Sequence, residues 1–245
     1  IKSLKYEILQ QNKLIKFYPN GYFIPLVKPN EFKIIEKMQT NTFPLQNIIL
    51  EQAKGDLNLG TDKDKFSQNK TTVKLLRGKN LCRFHIDYNT NEFIQNGFKQ
   101  NIVIKNTQNH YLIHQQITGT TDKYRLHFAL TNTNEKFLCG DSIGKILVEN
   151  KYQLHILGIL NSNLLDWYFR KTSTNNNVNG YEIEQLPIPK ITPRKQQPII
   201  DLVNKILSSK TKNPIADTTK LESKIDRLVY ELYDLTEDEI KIIEG

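Results

Sequence analysis

Short apolar runs separated by polar turns dominate the chain between residues 47 and 148. The runs are rich in β-branched and aromatic side chains, which is the pattern of strands rather than of amphipathic helices. Runs that follow one another through short polar turns pair most readily as antiparallel neighbours. The pattern therefore predicts a largely antiparallel sheet, with strands at residues 47–50, 72–76, 102–105, 111–117 and 126–130.

Three other stretches modify this picture. Apolar residues at helical spacing predict a short helix over residues 31–38, before the sheet. The longest polar stretch, residues 55–70, is rich in glycine, aspartate and asparagine, which favour turns over regular structure. Leucines and aromatic residues recur every three or four positions over residues 152–170, so we expect one long helix there, packed on the sheet.

The pattern becomes wholly helical after Pro193. Thr192 is a suitable N-cap for a helix whose first position is proline, and an apolar stripe follows at residues 199–207. Thr-x-x-Glu capping boxes at residues 219–222 and 236–239 predict two further helix starts. The sequence therefore predicts an α+β fold: a mixed, largely antiparallel sheet with packed helices, followed by a helical C-terminal tail.

This interpretation divides the chain near residue 191. Residues 1–30 are an entry segment, residues 31–191 are the mixed domain and residues 192–245 are the helical tail. The chain starts without methionine or an export leader, so we expect a fragment of a longer polypeptide. It has two cysteines and no apolar run of the roughly 18 residues that span a bilayer. We therefore expect no disulfide framework, no membrane partner and a cytoplasmic location.

The charge of the chain favours a polyanionic partner. The formal net charge is +8, and residues 226–245 carry seven acidic against two basic side chains. The positive excess therefore lies in the rest of the chain, which could face nucleic acid while the acidic end points elsewhere. A general bias toward lysine and asparagine explains the same numbers equally well.

An asparagine-rich loop at residues 174–180 is the first candidate for base contact. The asparagine amide carries a donor and an acceptor side by side, which can bracket N6 and N7 of adenine in the major groove. The alternative is a solvated loop that uses asparagine and glycine for their tolerance of left-handed backbone. The candidate residues are Thr174, Asn175, Asn176, Asn177 and Asn179.

A second candidate is the polar turn between two strand-like runs at residues 110–130. Glutamine and arginine make bidentate contacts with adenine and guanine, and both occur at the shoulders of this turn. An ordinary hairpin explains the same pattern. The candidate residues are Gln115, Gln116, Thr118, Thr120, Thr121, Asp122, Lys123, Tyr124 and Arg125.

Basic residues outside these two segments are candidates for phosphate contact. Each phosphate that they neutralise steepens the salt dependence of binding by about 0.9 log units per log unit of salt. For any single lysine, a solvated surface is the simpler explanation. The candidates are Lys63, Lys65, Lys70, Lys74, Arg77, Lys79, Arg83 and Lys171.

Three blocks of the chain resemble, in order, the target recognition domain of TaqI-like DNA adenine methyltransferases and fused type IIG restriction-modification enzymes. The first, residues 54–84, contains the segments Gly-Asp-Leu-Asn-Leu and Leu-Leu-Arg-Gly-Lys. The second is residues 110–130, and the third, residues 157–189, ends in Leu-Pro-Ile-Pro. The resemblance covers about residues 47–189, with a weaker match of residues 221–243 to the family's helical end.

The resemblance also bears on the turn at residues 110–130. In that family, this turn and the arginine that follows it are associated with base readout, which implies this role for Arg125. Tyr124 stands where the family often has arginine. This departure leaves the recognised base open.

The chain lacks the motifs of catalysis. Adenine methylation needs a glycine-rich cofactor loop and an Asn/Asp-Pro-Pro-aromatic tetrapeptide, whereas Asn213-Pro214 is followed by isoleucine. The Glu-x-Lys spellings at residues 222–224 and 239–241 fall in predicted helices, where nuclease ligands are not expected. The Cys and His pairs at residues 82–85 and 110–114 lack the compact thiolate pairs of a structural zinc site. No catalytic residue and no metal site are expected.

The resemblance therefore implies a DNA target recognition domain of a site-specific DNA adenine methyltransferase, which in the type IIG case also cleaves DNA. Its partners would be double-stranded DNA and an upstream methyltransferase domain. No cofactor is expected in this chain. S-adenosylmethionine, and Mg²⁺ where the parent cleaves, would belong to the upstream part.

Two alternatives remain open. One is half of a type I specificity subunit, which would need a helix of coiled-coil length where Asn213 and Pro214 interrupt the tail. The other is a protein-interaction module that uses the stripe at residues 199–207.

Overall fold

The computed structural model describes residues 27–173 and 175–245, so most of the predicted entry segment and the candidate Thr174 lie outside the described residues. Within these ranges the helices are α1 (Pro29–Gln39), α2 (Gln100–Gln108), α3 (Asn150–Leu160), α4 (Asn163–Thr172), α5 (Gly180–Glu184), α6 (Pro193–Lys212), α7 (Thr219–Leu232) and α8 (Glu237–Glu244). The strands are β1 (Thr42–Pro44), β2 (Ile49–Lys54), β3 (Phe66–Ser67), β4 (Val73–Leu76), β5 (Leu81–Cys82), β6 (His85–Ile86), β7 (Phe93–Ile94), β8 (Leu112–Gln115), β9 (Phe128–Leu130), β10 (Phe137–Cys139), β11 (Ile143–Val148) and β12 (Pro187–Pro189).

Two four-stranded sheets organise the described residues. The first has the order β2-β11-β8-β9 and is antiparallel throughout. The second has the order β10-β4-β7-β3 and is mixed, because β10 and β4 run parallel. Antiparallel pairs also join β1 to β12 and β5 to β6. These sheets and the packed helices confirm the predicted α+β class and its largely antiparallel pairing.

One large apolar core joins the first sheet to helices α1, α3, α4, α6 and α7. Helix α6 crosses α3 at Gly158, where an added Cβ would lie 2.6 Å from Cγ2 of Ile199. Ile199, Val203 and Ile206 are buried in this contact. The stripe predicted at residues 199–207 is therefore already covered by this chain, and its alternative role as a docking surface for another protein is wrong.

The helical tail shares the core of the mixed domain. The hydroxyl of Tyr233 donates to the carbonyl of Pro187 (2.6 Å), across the boundary predicted near residue 191. Helix α6 ends at Lys212, and the extended backbone of Asn213 precedes Pro214. The described tail is thus a set of packed helices, and the longest of them, α6 with 20 residues, ends before Asn213 and Pro214.

The apolar run at residues 102–105 was predicted as a strand and lies instead in α2. Val103 is buried against the second sheet, whereas Ile104 is exposed. Asn106, three positions after Val103, donates to the carbonyl of Phe137 (3.0 Å). A run of three apolar residues cannot distinguish a strand from one buried helix face, so this prediction was wrong.

The single helix predicted over residues 152–170 is two helices, because Asn161 and Ser162 interrupt it. The Asn161 amide donates to the carbonyl of Phe128 (2.9 Å) and accepts from its amide (3.0 Å). Ser162 is the N-cap of α4, and its hydroxyl accepts from the amide of Leu165 (3.3 Å). The apolar spacing continues across this break, so the hydrophobic pattern does not show it.

A buried ion pair ties the two sheets together. Nζ of Lys145 on β11 lies 2.7 Å from Oδ1 of Asp56 and also donates to the Asn106 amide oxygen (2.7 Å). Oδ2 of Asp56 accepts from the amide of Cys139 on β10 (2.7 Å). The side chains of Lys145 and Asp56 are only 3% and 4% exposed. Asp56, the acid of the Gly-Asp-Leu-Asn-Leu segment, therefore has a structural role.

The N-caps of α7 and α8 lie at or next to the residues predicted from the sequence. Thr236 and Glu239 form the predicted capping box of α8. Helix α7 starts one residue earlier than predicted: its N-cap is Thr218, whose hydroxyl donates to the Glu222 carboxylate (2.6 Å). One turn later, the buried carboxylate of Asp226 accepts from the first amide of α4, that of Asn163 (2.7 Å). Helices α4 and α7 are therefore linked by hydrogen bonding as well as by packing.

We expect Asp226→Asn to change the pH dependence of stability. Burial raises the pKa of the Asp226 carboxyl from its ordinary value to about 6, although Arg83 favours the charged form. A raised folded pKa means that the contribution of this carboxyl is fully present at low pH and is lost as the pH rises through 6. Each unit of that shift corresponds to about 1.4 kcal/mol. Asparagine can still accept the Asn163 amide, and it stays neutral.

Urea unfolding at pH 5 and pH 8 tests this expectation. The variant should gain stability relative to the natural chain as the pH rises between these values. If the free energy of unfolding of the variant, relative to that of the natural chain, were lower at pH 8 than at pH 5, the expectation would be contradicted.

No helix among the described residues is both long and apolar enough to cross a membrane.

Candidate nucleic-acid interface

The polar turn predicted between residues 115 and 125 projects from the end of β8. Oδ2 of Asp122 accepts from the amide of Gly119 (2.7 Å), and the amide of Asp122 donates to the Gly119 carbonyl (3.1 Å). These two bonds close the turn. The exposed side chains at its tip are Thr120, Thr121, Asp122 and Lys123.

Helix α4 fixes this turn through two side chains that the sequence analysis did not single out. Oδ1 of Asp166 accepts from the amides of Arg125 (2.6 Å) and Leu126 (2.7 Å). The guanidinium of Arg170 donates to Oδ2 of Asp166 (2.7 Å) and to the carbonyls of Thr120 (3.0 Å) and Asp122 (2.7 Å). The only sequence signal was the helical i, i+4 spacing of an acid and a base.

The asparagine-rich loop joins the same surface. The amide of Thr118 donates to the carbonyl of Asn176 (3.1 Å), and the amide of Val178 donates to that of Gln116 (2.8 Å). Between these bonds Ile117 and Asn177 form an antiparallel bridge. The two segments predicted as base readers therefore lie side by side, although about 50 residues separate them along the chain.

Arg125 lies beneath this junction rather than on its surface. The residue is only 2% exposed, and burial lowers the pKa of its guanidinium. Its Nε donates to Oγ1 of Thr118 (2.8 Å), its Nη2 donates to the carbonyl of Asn175 (2.7 Å), and it lies over the ring of Phe169 (5.3 Å). Arg125 therefore joins the turn to the asparagine loop, and in this conformation its donor edge does not face solvent.

The other shoulder residues of the turn are also engaged within the protein. Nε2 of Gln115 donates to the carbonyls of Gly78 (2.9 Å) and Leu81 (2.8 Å). Gln116 and Thr118 are buried. Their side chains therefore lie beneath the exposed surface of the turn and are not part of it.

Two of the four asparagines have structural bonds. Oδ1 of Asn175 accepts from the amide of Asn177 (2.7 Å). Asn179 is the N-cap of α5, and both its backbone amide and its side-chain amide donate to Glu182. The side chains of Asn176 and Asn177 are exposed beside the turn. The amides available for contact are therefore those of Asn176 and Asn177.

Most candidate phosphate contacts are paired with carboxylates in this structure. Where such a pair is exposed to solvent, it contributes little energy and exchanges readily for another anion. Lys63 and Lys70 are exposed, and no described carboxylate pairs with either. The paired residues are Lys65 with Asp64, Lys74 with Glu135, Arg77 and Lys79 with Glu92, and Lys171 with Glu31.

Arg83 differs from these surface cations because it is buried. Its guanidinium lies 3.9 Å from the centre of the Tyr124 ring and donates to the carbonyl of Asn161. Glu222 on α7 lies 3.4 Å away. Arg83 therefore supports Tyr124 from inside and connects the turn to the tail, and phosphate does not reach it in this conformation.

The described residues contain no group of three or more His, Cys, Asp or Glu side chains able to hold a metal ion. His114 is fully enclosed, and burial lowers its pKa to about 4. Nδ1 of His110 contacts the carbonyl of Thr131 (2.7 Å). The side chains of both histidines are therefore engaged within the protein.

Residues 73–188 match the family model of the TaqI-like C-terminal specificity domain. No curated protein sequence matches the chain. The type IIG restriction endonuclease BpuSI has a similar fold, with a TM-score of 0.50 and 13% identity over 84% of this chain and 34% of that one.

Two other solved structures resemble the chain more distantly. The type IIL restriction-modification enzyme MmeI, solved in complex with DNA, gives a TM-score of 0.44 and 13% identity over 55% of this chain and 20% of that one. The HsdS subunit from Thermoanaerobacter tengcongensis gives 0.44 and 9% identity over 91% of this chain and 49% of that one.

The chain thus spans less than two thirds of each of these three proteins. The matched range, residues 73–188, contains both the turn and the asparagine loop. The resemblance predicted from the sequence is confirmed over this range, because residues 73–188 match the TaqI-like C-terminal specificity domain.

Proposed function

We propose that this chain recognises a base sequence in double-stranded DNA through the surface formed by the turn at residues 118–124 and the loop at residues 175–179. The observation that supports this most directly is their junction. The two segments share an antiparallel bridge, and Arg125 holds both from beneath. Such a surface keeps its shape before DNA arrives, so little ordering entropy opposes binding.

The exposed side chains of this surface offer the groups that distinguish bases in the major groove. The amides of Asn176 and Asn177 can bracket adenine N6 and N7, and the Asp122 carboxylate can accept from cytosine N4. Lys123 can donate to guanine, and the hydroxyls of Thr120 and Thr121 suit either donors or acceptors. Arg125 has a positioning role in this proposal.

The basic residues supply affinity that is independent of sequence. Lys63 and Lys70 are available as they stand, and Lys74, Arg77 and Lys79 can exchange their carboxylate partners for phosphate. The net charge of +8 draws the chain toward the duplex over longer distances.

We further propose that the parent polypeptide is a cytoplasmic restriction-modification enzyme. Its upstream domain would methylate adenine with S-adenosylmethionine, and Mg²⁺ would serve a nuclease where one is present. The share of BpuSI that this chain covers leaves ample room for such domains.

Two pairs of substitutions distinguish the recognition of bases from affinity that is independent of sequence. Replacing Asn176 and Asn177 with alanine should reduce the preference for the selected sequence by about 1–3 kcal/mol for each bidentate amide–base interaction that is removed. Thermal stability should hardly change, because both side chains are exposed. Replacing Lys63 and Lys70 should weaken binding to all duplexes alike and lower the salt slope by about 0.9 for each phosphate that is no longer neutralised.

Fluorescence anisotropy with a duplex selected from a randomised library, and with a scrambled duplex, measures both effects at several salt concentrations. Lys241→Ala, on the acidic C-terminal helix α8, is the control for the loss of one positive charge and should leave the slope unchanged. Absence of any salt-dependent binding at low ionic strength would overturn the proposal.

A further inference from the structure

Ile117 is an exposed apolar residue at the centre of the proposed reading surface. Its neighbours Gln116 and Thr118 are buried, whereas Ile117 is 65% exposed. In an extended segment successive side chains point to opposite faces. The side chain of Ile117 therefore points outward, and packing inside the protein does not account for a branched aliphatic residue there.

Ile117 and Asn177 are direct cross-strand neighbours. The bonds from Thr118 to Asn176 and from Val178 to Gln116 lie on either side of this pair, so the pair itself exchanges no backbone hydrogen bond. Side chains are closest at such non-hydrogen-bonded positions, with Cα atoms roughly 4.5 Å apart. They also share a face of the pair. Because both residues are exposed, they present one aliphatic group and one amide side by side to solvent.

This combination matches the major-groove edge of one base pair. An A·T pair displays the N7 acceptor and N6 donor of adenine next to O4 and the C5 methyl group of thymine. An asparagine amide satisfies the adenine edge, and an aliphatic side chain packs on the thymine methyl. A G·C pair offers neither a methyl group nor the adenine pattern.

We propose that Ile117 and Asn177 together read one A·T base pair, with Asn177 on the adenine and Ile117 on the thymine methyl group. The inference rests on the proposed function and adds Ile117 as a specificity-determining residue. The backbone of Asn177 is held for this task, because its amide donates to Oδ1 of Asn175 and the strand beside it is fixed by Arg125 through Thr118.

The test uses the whole chain and duplexes in which single thymines are replaced by deoxyuridine, which lacks only the methyl group. A preferred duplex is first selected from a randomised library, and the dissociation constant is then measured for each replacement. We expect a loss of about fourfold at one thymine, the factor that burial of one methyl-sized group contributes. The Ile117→Ala variant should bind the thymine and deoxyuridine duplexes equally.

Two further variants make the test specific. Ile215→Ala is the matched control, because Ile215 is 89% exposed in the connection between α6 and α7. It should keep the full sensitivity to the methyl group. Asn177→Ala should lose roughly five- to 150-fold of the preference for adenine, at the base pair that contains the sensitive thymine. Ile117→Val, which keeps the branched Cβ, should retain part of the methyl effect.

The possible failures are distinct. If a sequence preference exists but no thymine responds to loss of its methyl group, or the response persists in Ile117→Ala, this inference is overturned and the proposed function stands. If Asn177→Ala changes the preference at a base pair that does not contain the sensitive thymine, Ile117 and Asn177 do not read the same base pair, and the inference is likewise overturned. If the library yields no preferred sequence, the proposed function fails, and the inference fails with it.

Discussion

Replacing Arg125 with alanine is expected to lower the free energy of unfolding by about 3 kcal/mol and to abolish sequence preference at several base pairs together. The buried hydroxyl of Thr118 and the carbonyl of Asn175 would each lose the donor that now satisfies them. An unsatisfied buried acceptor costs about 1–3 kcal/mol, and the space left by the side chain adds to this. The turn and the asparagine loop would also lose their connection, which is why several base interactions should fail at once.

Arg125→Lys is expected to rescue little. A lysine ammonium is a point donor, whereas the planar guanidinium reaches Thr118 and Asn175 in different directions at once. Lys123→Ala is the control, because Lys123 is exposed two positions away on the same turn. It should unfold at the same urea concentration as the natural chain.

Urea unfolding and library selection on these three variants test the positioning role. If Arg125→Ala kept the full stability of the chain and lost preference at a single base pair, Arg125 would be a direct reader, as the family resemblance implies. A combined loss of stability and of preference at several positions is the result expected from its place beneath the surface.

Replacing Lys145 with methionine is expected to destabilise the fold by about 3–5 kcal/mol, the usual cost of removing one partner of a buried ion pair. The Asp56 carboxylate would remain enclosed without a cation, and Asn106 would lose a donor. Because Lys145 lies on the first sheet and Cys139, which also binds Asp56, lies on the second, the contact between the sheets should loosen.

Lys105 provides the matched comparison. It pairs with Glu51 at 2.5 Å, but 48% of the Lys105 side chain and 32% of the Glu51 side chain are exposed to solvent. Lys105→Met should therefore cost at most about 1 kcal/mol. Adding Asp56→Asn to Lys145→Met should recover part of the loss, because the uncompensated charge is removed. Equal effects of the two lysine substitutions in urea unfolding would contradict this account of the ion pair.

Local signals in the sequence predicted the helical tail well. The proline after Thr192 and the Thr236 capping box act within one turn of helix, so α6 and α8 begin where the sequence predicts. The prediction of a strand at residues 102–105 was wrong because three successive apolar residues show no periodicity. The break at Asn161 was missed because its cause is a hydrogen bond to Phe128, more than 30 residues away.

The candidate site shows the same division between local and distant causes. The turn and the asparagine loop were identified separately from their residue types, but no local pattern predicts that Ile117 pairs with Asn177. The burial of Arg125 follows from carbonyls in that distant loop. The carboxylates that pair with Lys74 and Arg77 likewise belong to remote segments. Sequence can propose which side chains contact DNA, whereas tertiary contacts decide which of them are free to do so.

The bridge between Ile117 and Asn177 limits how this protein could acquire a new target sequence. A change in the length or backbone of one segment would misalign the other, so the two cannot diverge independently. A designer who grafts specificity from a relative would need to transplant residues 115–125 and 175–180 as one unit, together with the α4 side chains Asp166 and Arg170 that seat the turn. Exchanging either segment alone should give a hybrid that still binds double-stranded DNA but no longer prefers one base sequence over another.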